Sequence, residues 1–304
     1  MLRLDPVSLR LFIAVVEEKT IAAAALREHL AAAAISKRLA DIEAILEVTL
    51  LRRTNRGVEP TDAGRALLTL ARSALNGLEQ IPAQMKSYSS GTRGLVRICA
   101  STSAITQFLP ADLQTFIQGH PGVQVNLDEK ISSEVIESVR ENSADIGIFS
   151  NAQDSWPLEV FDYRTDRLVL IIPRGHALAA QQSWRFEQTL EYDYIGWEAG
   201  SAINLQLTNA ALHVQKPWRM RIRISSIDAL CMLVDSGLGI GVLPEAVARR
   251  SLPNLNVELR RLDDDWAVRR FRICVRARDA LTPAAAKMLA HLQAVAAQDG
   301  GVAP

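Results

Sequence analysis

The sequence predicts an N-terminal helical module carrying a short hairpin, then one long helix, then a C-terminal α/β module. Three observations carry this expectation. Apolar residues recur at helical spacing from Leu9 to Ile81. A stretch rich in Ser and Gly, residues 87–94, then breaks the pattern and reads as a linker. From Leu95 onward, short apolar runs of strand character alternate with helical segments.

Asp5 and Pro6 read as an N-cap followed by proline at the first helical position, where a missing N–H costs nothing. Leu9, Phe12, Ile13 and Val16 follow on one face. Thr20 caps a short second helix that reaches Leu26. A third helix is expected over 32–46, with Ile35, Leu39, Ile42 and Leu46 on one face and Lys37, Arg38 and Asp41 off it. Leu50, Leu51 and Val58 flank the polar turn Thr54-Asn55-Arg56-Gly57, a hairpin signal. Pro60-Thr61-Asp62 opens the long helix, which Pro82 is expected to bend or end.

In the α/β module, strands are expected over 96–100, 123–127, 146–149, 168–172 and 272–275. Helices are expected over 105–117, 133–141 and 283–295. Residues 234–244 read as a helix end, a Gly-rich turn and a strand, with Pro244 at a helix start. This alternation predicts largely parallel sheets, and the tail after Gln298 is expected to fray.

Composition narrows the function classes. Lys plus Arg and Asp plus Glu both number 34, so the net charge is zero and any basic surface must be local. Cys99, Cys231 and Cys274 are widely separated in apolar sequence, which fits buried thiols rather than a disulfide framework. No run of about 20 apolar residues and no secretory signature occurs, so a cytoplasmic protein without a membrane span is expected.

Two short helices, a tight turn and a third helix bearing charge are what a helix-turn-helix requires, the third helix entering the major groove of double-stranded DNA. Ser36, Lys37 and Arg38 lie on the exposed side of that helix, and Arg52, Arg53 and Arg56 of the hairpin are placed to pair with phosphates. A small helical bundle with solvated charges satisfies the same pattern.

The motifs carry a sharper resemblance. Leu11-Phe12 with Ala14-Val15 and Glu17, Ala34-Ile35-Ser36-Lys37-Arg38-Leu39, Leu50-Leu51 with Arg53-Thr54, Arg56-Gly57-Val58 and Thr61-Asp62-Ala63-Gly64 together resemble the DNA-binding domain of LysR-type transcriptional regulators. Later segments fit as well, among them Phe108-Leu109-Pro110, His120-Pro121-Gly122-Val123 and Gly237-Leu238-Gly239-Ile240-Gly241-Val242-Leu243-Pro244. The resemblance implies a winged helix-turn-helix over 1–60 and a linker helix over 61–90. Beyond these it implies a two-lobed, periplasmic-binding-protein-like effector domain, with lobe 1 over 91–165 and 269–304 and lobe 2 over 166–268. Leu67, Leu70, Ala71, Leu75 and Leu78 form an apolar stripe on the linker helix that pairing with the same helix of another subunit would bury, so a homodimer through it is expected, and the resemblance further implies a homotetramer. The chain departs from the family pattern at Ala31, Ala32 and Ala33 and at Glu47. Alanine at an N-cap costs about 1 kcal/mol. Ala33 offers a base edge only a methyl, which suits contact with a thymine methyl.

Two α/β lobes make a cleft at strand C-termini, where ligands commonly sit. Ser101-Thr102-Ser103 follows the first strand and precedes a helix, and Ser132 does so after the second strand. Hydroxyls and free N–H groups at helix starts favour an anion, so a small organic acid is the expected effector. Ser103 and Ser132 match effector-contacting positions by resemblance, and Ser101, Thr102, Ser201 and Ser226 join them as candidates. Each is alternatively an ordinary N-cap.

No cofactor is expected. Gly237, Gly239 and Gly241 lack dinucleotide spacing and lead into a strand rather than following one. The five histidines show no metal-ligand spacing, and no acid, base and nucleophile cluster assembles, so no enzyme is predicted. The competing reading is an α/β ligand-binding protein or enzyme whose N-terminal helices serve only assembly. A continuous basic face around Lys37, Arg38, Arg53 and Arg56 favours DNA, and an acid-masked face does not.

Overall fold

A computed structural model describes residues 4–55, 57–89, 94–150 and 157–299. The chain divides into two compact units, one reaching to Gly94 and taking in Glu137–Ala144, the other formed by Leu95–Ile136 and the chain from Asp145 on.

The first unit opens with helices α1 (Pro6–Glu18), α2 (Ile21–Arg27) and α3 (Ala32–Leu46), the hairpin β1 (Leu51–Thr54) and β2 (Gly57–Pro60), and the long helix α4 (Asp62–Ser89). Asp5 caps α1 by accepting from the Ser8 N–H at 3.0 Å, and Thr20 caps α2 by accepting from Ala23 at 3.1 Å. Leu11, Phe12, Val15, Ala24, Ile35, Ile42 and Leu50 form the core. The hairpin is tied to α4 by Thr61, whose N–H and hydroxyl both donate to the Leu50 carbonyl oxygen. Only glycine fits at position 64, because a Cβ there would press into that same carbonyl. Pro82 lies inside α4 rather than ending it. Of the expected linker, residues 87–89 close α4 and Gly94 opens the next strand, while 90–93 lie outside the described residues, as does Arg56.

Beyond α4 the chain runs through β3 (Gly94–Ala100), α5 (Thr102–Gln107), α6 (Leu109–Gly119), β4 (Val123–Glu129), α7 (Ser132–Arg140), β5 (Ile146–Ser150) and the long strand β6 (Glu159–Pro173), all in the second unit except Gly94 and the last turn of α7 from Glu137. It continues with β7 (Ser183–Trp184), β8 (Tyr194–Trp197), α8 (Ala202–His213), β9 (Met220–Ile224), α9 (Ile227–Asp235), β10 (Ile240–Pro244), α10 (Glu245–Ser251), β11 (Val257–Leu262), β12 (Val268–Val275) and α11 (Pro283–Asp299). The expected fraying of the tail falls mostly beyond the described residues. The single helix expected over 105–117 is two, broken at Phe108, because Pro110 lacks an N–H and crowds the carbonyl four residues back.

Two apolar cores form in this unit. One gathers Val96, Ile98, Phe116, Ile146, Ile148, Phe271 and Leu292. The other gathers Leu170, Ile171, Ile195, Leu207, Leu230, Val242 and Leu243. Strand order is β4-β3-β5-β12-β6-β10-β8-β9, with β11 also on β6. The sheet is mixed, not largely parallel. β3 runs parallel to β5, and β8 parallel to both β9 and β10, but β12 is antiparallel to β5 and β6. The physical reason is the double crossing: β6 leaves the first core and β12 comes back to it, so the two must run in opposite directions. The first part of β6 pairs with β12 and the segment from Leu168 pairs with β10 and β11.

α3 starts at Ala31, which is extended (φ −70°, ψ 136°) and makes no side-chain cap, and ends at Glu47 in the left-handed region (φ 55°, ψ 33°). Both ends are therefore suboptimal. Ala31→Ser is expected to stabilise the protein by about 1 kcal/mol through a new cap, and Glu47→Gly by about 1 kcal/mol through relief of the positive φ. Urea melts read both, and an unchanged midpoint for the pair would contradict this account of the helix ends.

Candidate functional site

The helical unit presents α3 outward. Ala32, Ala33, Ala34, Lys37 and Arg38 are exposed and Ser36 is half-buried. Arg38 is not free: its guanidinium pairs with Asp5 at 3.2 Å and donates to the Ser8 hydroxyl at 2.9 Å. The Ser8 hydroxyl and N–H, together with the nearby Arg38, hold the Asp5 carboxyl below its ordinary range. Arg52 pairs with Glu59 across the hairpin at 2.9 Å. Lys37 and Arg53 are exposed and make no ion pair among the described residues. The described basic face thus consists of two unpaired cations beside two that acids partly neutralise.

In the α/β unit a cavity of about 370 Å³ receives the starts of α7, α8 and α9. Ser101, Thr102, Ser103, Ser132 and Ser201 all line it. Ser101 and Ser132 are 5 % and 9 % exposed, and neither hydroxyl has a hydrogen-bond partner among the described residues. A buried hydroxyl without a partner is costly, so both are poised for a guest that supplies one. Thr102 donates instead to Glu129 at 2.6 Å. Ser201 caps α8 by accepting from Asn204 at 3.2 Å while still lining the cavity. Ser226 caps α9, accepting from Ala229 at 3.4 Å, and its neighbour Ser225 takes the lining position. Lys130, Trp197 and Glu198 also line the cavity. Sequence reasoning passed over them, although Trp197-Glu198 at a strand end just before Gly200-Ser201 was the available signal. A larger chamber of about 980 Å³ shares Ser132 and Ala202 with this cavity and includes Ser150, another buried hydroxyl without a partner.

Ser103 belongs to a buried ionic network. Arg269, 0 % exposed, donates to the Ser103 hydroxyl at 3.3 Å and to Asp166 at 2.8 Å through Nε, with a second bond to Asp166 through Nη2. Gln107 donates to the same Asp166 carboxylate at 2.8 Å. Because Ser103 Oγ accepts from Arg269, its own proton remains available to donate. Asp166 and Arg269 are directly opposite in the β6–β12 ladder, where the chain crosses between the two cores.

Comparison with known proteins fits both parts. Residues 7–65 match the model for the bacterial regulatory helix-turn-helix proteins of the lysR family, and residues 89–297 match the LysR substrate binding domain. The chain belongs to the LysR family of transcriptional regulators. A probable HTH-type transcriptional regulator of Synechococcus elongatus, LrrA, is 30 % identical over 247 residues, which cover 79 % of this chain and 81 % of the relative. The fold is shared with full-length CbnR complexed with its target DNA (TM-score 0.61, 21 % identity, 96 % of this chain and 99 % of that one). It is shared over 67 % of this chain, and 98 % of the other, with the Synechocystis PCC6803 CcmR regulatory domain in complex with 2-PG (TM-score 0.61, 24 % identity). This LysR-type regulator therefore joins a DNA-binding helix-turn-helix to an effector-binding α/β domain.

Among the described residues no group of His, Cys, Asp and Glu could hold a metal ion, and no helix is long and apolar enough to cross a membrane. All three cysteines are buried, and burial pushes Cys231 up to about 11 and Cys274 up to about 12. Thiol reagents need thiolate and access, so the native protein is expected to resist them and to react fully only in denaturant. Fast labelling of native Cys231 or Cys274 would contradict this. The ionic network gives a second expectation. Asp166→Ala alone is expected to destabilise by about 3–5 kcal/mol, because it strands a buried guanidinium. Asp166→Leu combined with Arg269→Met is expected to cost much less. Denaturant melts that rank the double variant below the single one would refute the pairing.

Proposed function

We propose that this regulator acts in the cytoplasm as a non-enzymatic switch that binds double-stranded DNA and answers to a small organic acid held in the 370 Å³ cavity. The observation that carries the effector reading is the pair of buried hydroxyls, Ser101 and Ser132, lining the cavity without partners. A carboxylate accepts from both. Ser103 contributes a third proton, and the N–H groups at the start of α7 and α8 add the positive end of two helix dipoles. Thr102 and Ser201 assist from the rim, and Ser226 acts through the α9 cap. The CcmR regulatory domain with 2-PG supports a guest in this fold.

For DNA, Lys37 and Arg53 serve as phosphate contacts, Arg56, outside the described residues, serves as a further one, and Arg38 is recruited when phosphate competes with Asp5. Ser36 and the Ala33 methyl face bases. The CbnR complex with its target DNA supports this use of the fold. Assembly follows from α4. Leu67 and Ala71 of the expected stripe are buried in the helical unit's own core, whereas Leu70, Ala74, Leu78, Ile81 and Met85 are exposed and recur every three or four residues, a stripe that a second copy of α4 would bury. A homodimer through this helix, and a tetramer of two such dimers, is the proposed assembly. Domain boundaries near 60, 90, 166 and 268 divide the labour.

Lys37→Ala and Arg53→Ala are each expected to weaken binding to a promoter-length duplex uniformly across sequences and to reduce the salt slope by about one unit. Fluorescence anisotropy across a salt series reads this, and an absence of salt-sensitive binding by the wild type would overturn the DNA assignment. Ser132→Ala is expected to weaken binding of a carboxylate ligand about tenfold or more, since a hydrogen bond to a charged group contributes about 1.5–3 kcal/mol. Calorimetry showing equal affinity would reduce Ser132 to the start of a helix.

A further inference from the structure

The lining of the small cavity carries charge of the wrong sign for a guest that is only an anion. Glu129, Glu134 and Glu198 all line it, against one cationic side chain among the described lining residues, Lys130. Glu134 sits in the first turn of α7, where a carboxylate also suits the helix dipole, and Glu129 takes the Thr102 hydroxyl on one oxygen. Glu198 has neither role. It stands at the end of β8, is exposed, and makes no side-chain hydrogen bond or ion pair with the described residues. One ammonium cannot balance three carboxylates, and a simple carboxylate entering past them meets net repulsion.

The same cavity nevertheless holds two features that select an acceptor. Ser101 and Ser132 are more than nine-tenths buried, line the cavity and lack partners. Ile131, Trp197, Ile203 and Ile227 supply apolar wall around them. The cavity is therefore mixed in character, offering buried hydroxyls and helix starts to an acid and carboxylates to a base.

Building on the effector assignment above, we propose that the effector carries a basic nitrogen as well as an acidic group, and is an amino acid or a closely similar amine-bearing acid. Its carboxylate takes the Ser101 and Ser132 hydroxyls. Its ammonium faces Glu198, with Glu129 behind it, and its side chain lies along the Trp197 and isoleucine wall. Such a ligand restores the charge balance of the cavity as it binds. A carboxylate without the amine leaves Glu198 and its neighbours to repel it.

The test is a calorimetric and thermal-shift screen of the full-length protein against free amino acids. Each hit is compared with its deamino carboxylate and its decarboxylated amine. The expected result is an amino acid that binds at least about tenfold tighter than either fragment, the contribution of one charge-assisted hydrogen bond. Glu198→Gln is expected to weaken the amino acid and to tighten its deamino acid, which Glu198 no longer repels, so that the two affinities converge. Ser132→Ala is expected to weaken both. A deamino carboxylate that binds as well as the amino acid, or a preference unchanged by Glu198→Gln and Glu129→Gln alike, overturns the amphoteric assignment and leaves the organic-acid reading standing. Tight binding of the amine alone, or silence from every acid in the panel, overturns both.

Discussion

The α/β unit turns on one buried ion pair. Arg269 and Asp166 lie opposite each other on the only two strands that pass between its apolar cores in the described sheet, and both are nearly inaccessible to water. Removing charges from water costs several kcal/mol per ion unless geometry and further hydrogen bonds compensate. Here the guanidinium makes two bonds to the carboxylate, leans on the Phe271 ring with its carbon 5.2 Å from the centroid, and reaches Ser103, while Gln107 completes Asp166. The pair therefore does more than join two strands. It ties the crossing point to α5, the element that carries three of the cavity hydroxyl residues, Thr102, Ser103 and Thr106, and their neighbour Gln107. A guest that pulls on Ser103 acts on the place where the two halves of the effector domain meet, and it can shift their arrangement only by its differential affinity for each one.

The DNA-binding end works under a different economy of forces. Its core is well filled, with Leu11, Phe12 and Ile35 fully buried, so the fold does not depend on the weak ends of α3. The exposed start of that helix offers methyl groups rather than hydrogen-bond donors, and two of its basic neighbours are engaged by Asp5 and Glu59. Such a surface reads few bases directly. On the proposed reading, its affinity comes chiefly from phosphate contacts and from the proposed pairing of two heads through α4, where linked binding multiplies modest single-head affinity.

Much of this was legible in the residues. Asp5-Pro6, Thr20 and the apolar faces located the first three helices, since caps and periodicity are local signals. Ala31 and Glu47 stood out as misfits, and the backbone places both where their side chains are unhelpful. Ser101, Ser103 and Ser132 could be drawn to one cavity because each follows a strand and precedes a helix. What was not legible depends on long-range geometry. The mixed sheet follows from a return strand more than 90 residues after its partner, roughly beyond any pattern window. The break at Phe108 hid inside an unbroken apolar rhythm. Ser226 and Ser225 cannot be told apart by sequence, since which of two adjacent serines caps a helix and which faces a cavity is decided by backbone orientation. Nothing local in the sequence marks Glu198 or Arg269, since only packing places one at a cavity and buries the other.

The central claim is that the two orphaned hydroxyls exist for a carboxylate. Diffraction from crystals of the full-length protein grown with an acid identified by binding tests this most directly. The account predicts carboxylate oxygens at about 2.6–3.0 Å from both Ser101 Oγ and Ser132 Oγ, with Ser103 still held by Arg269. A ligand whose acid group lies away from these hydroxyls, with ordered water satisfying both serines in its presence, would contradict it.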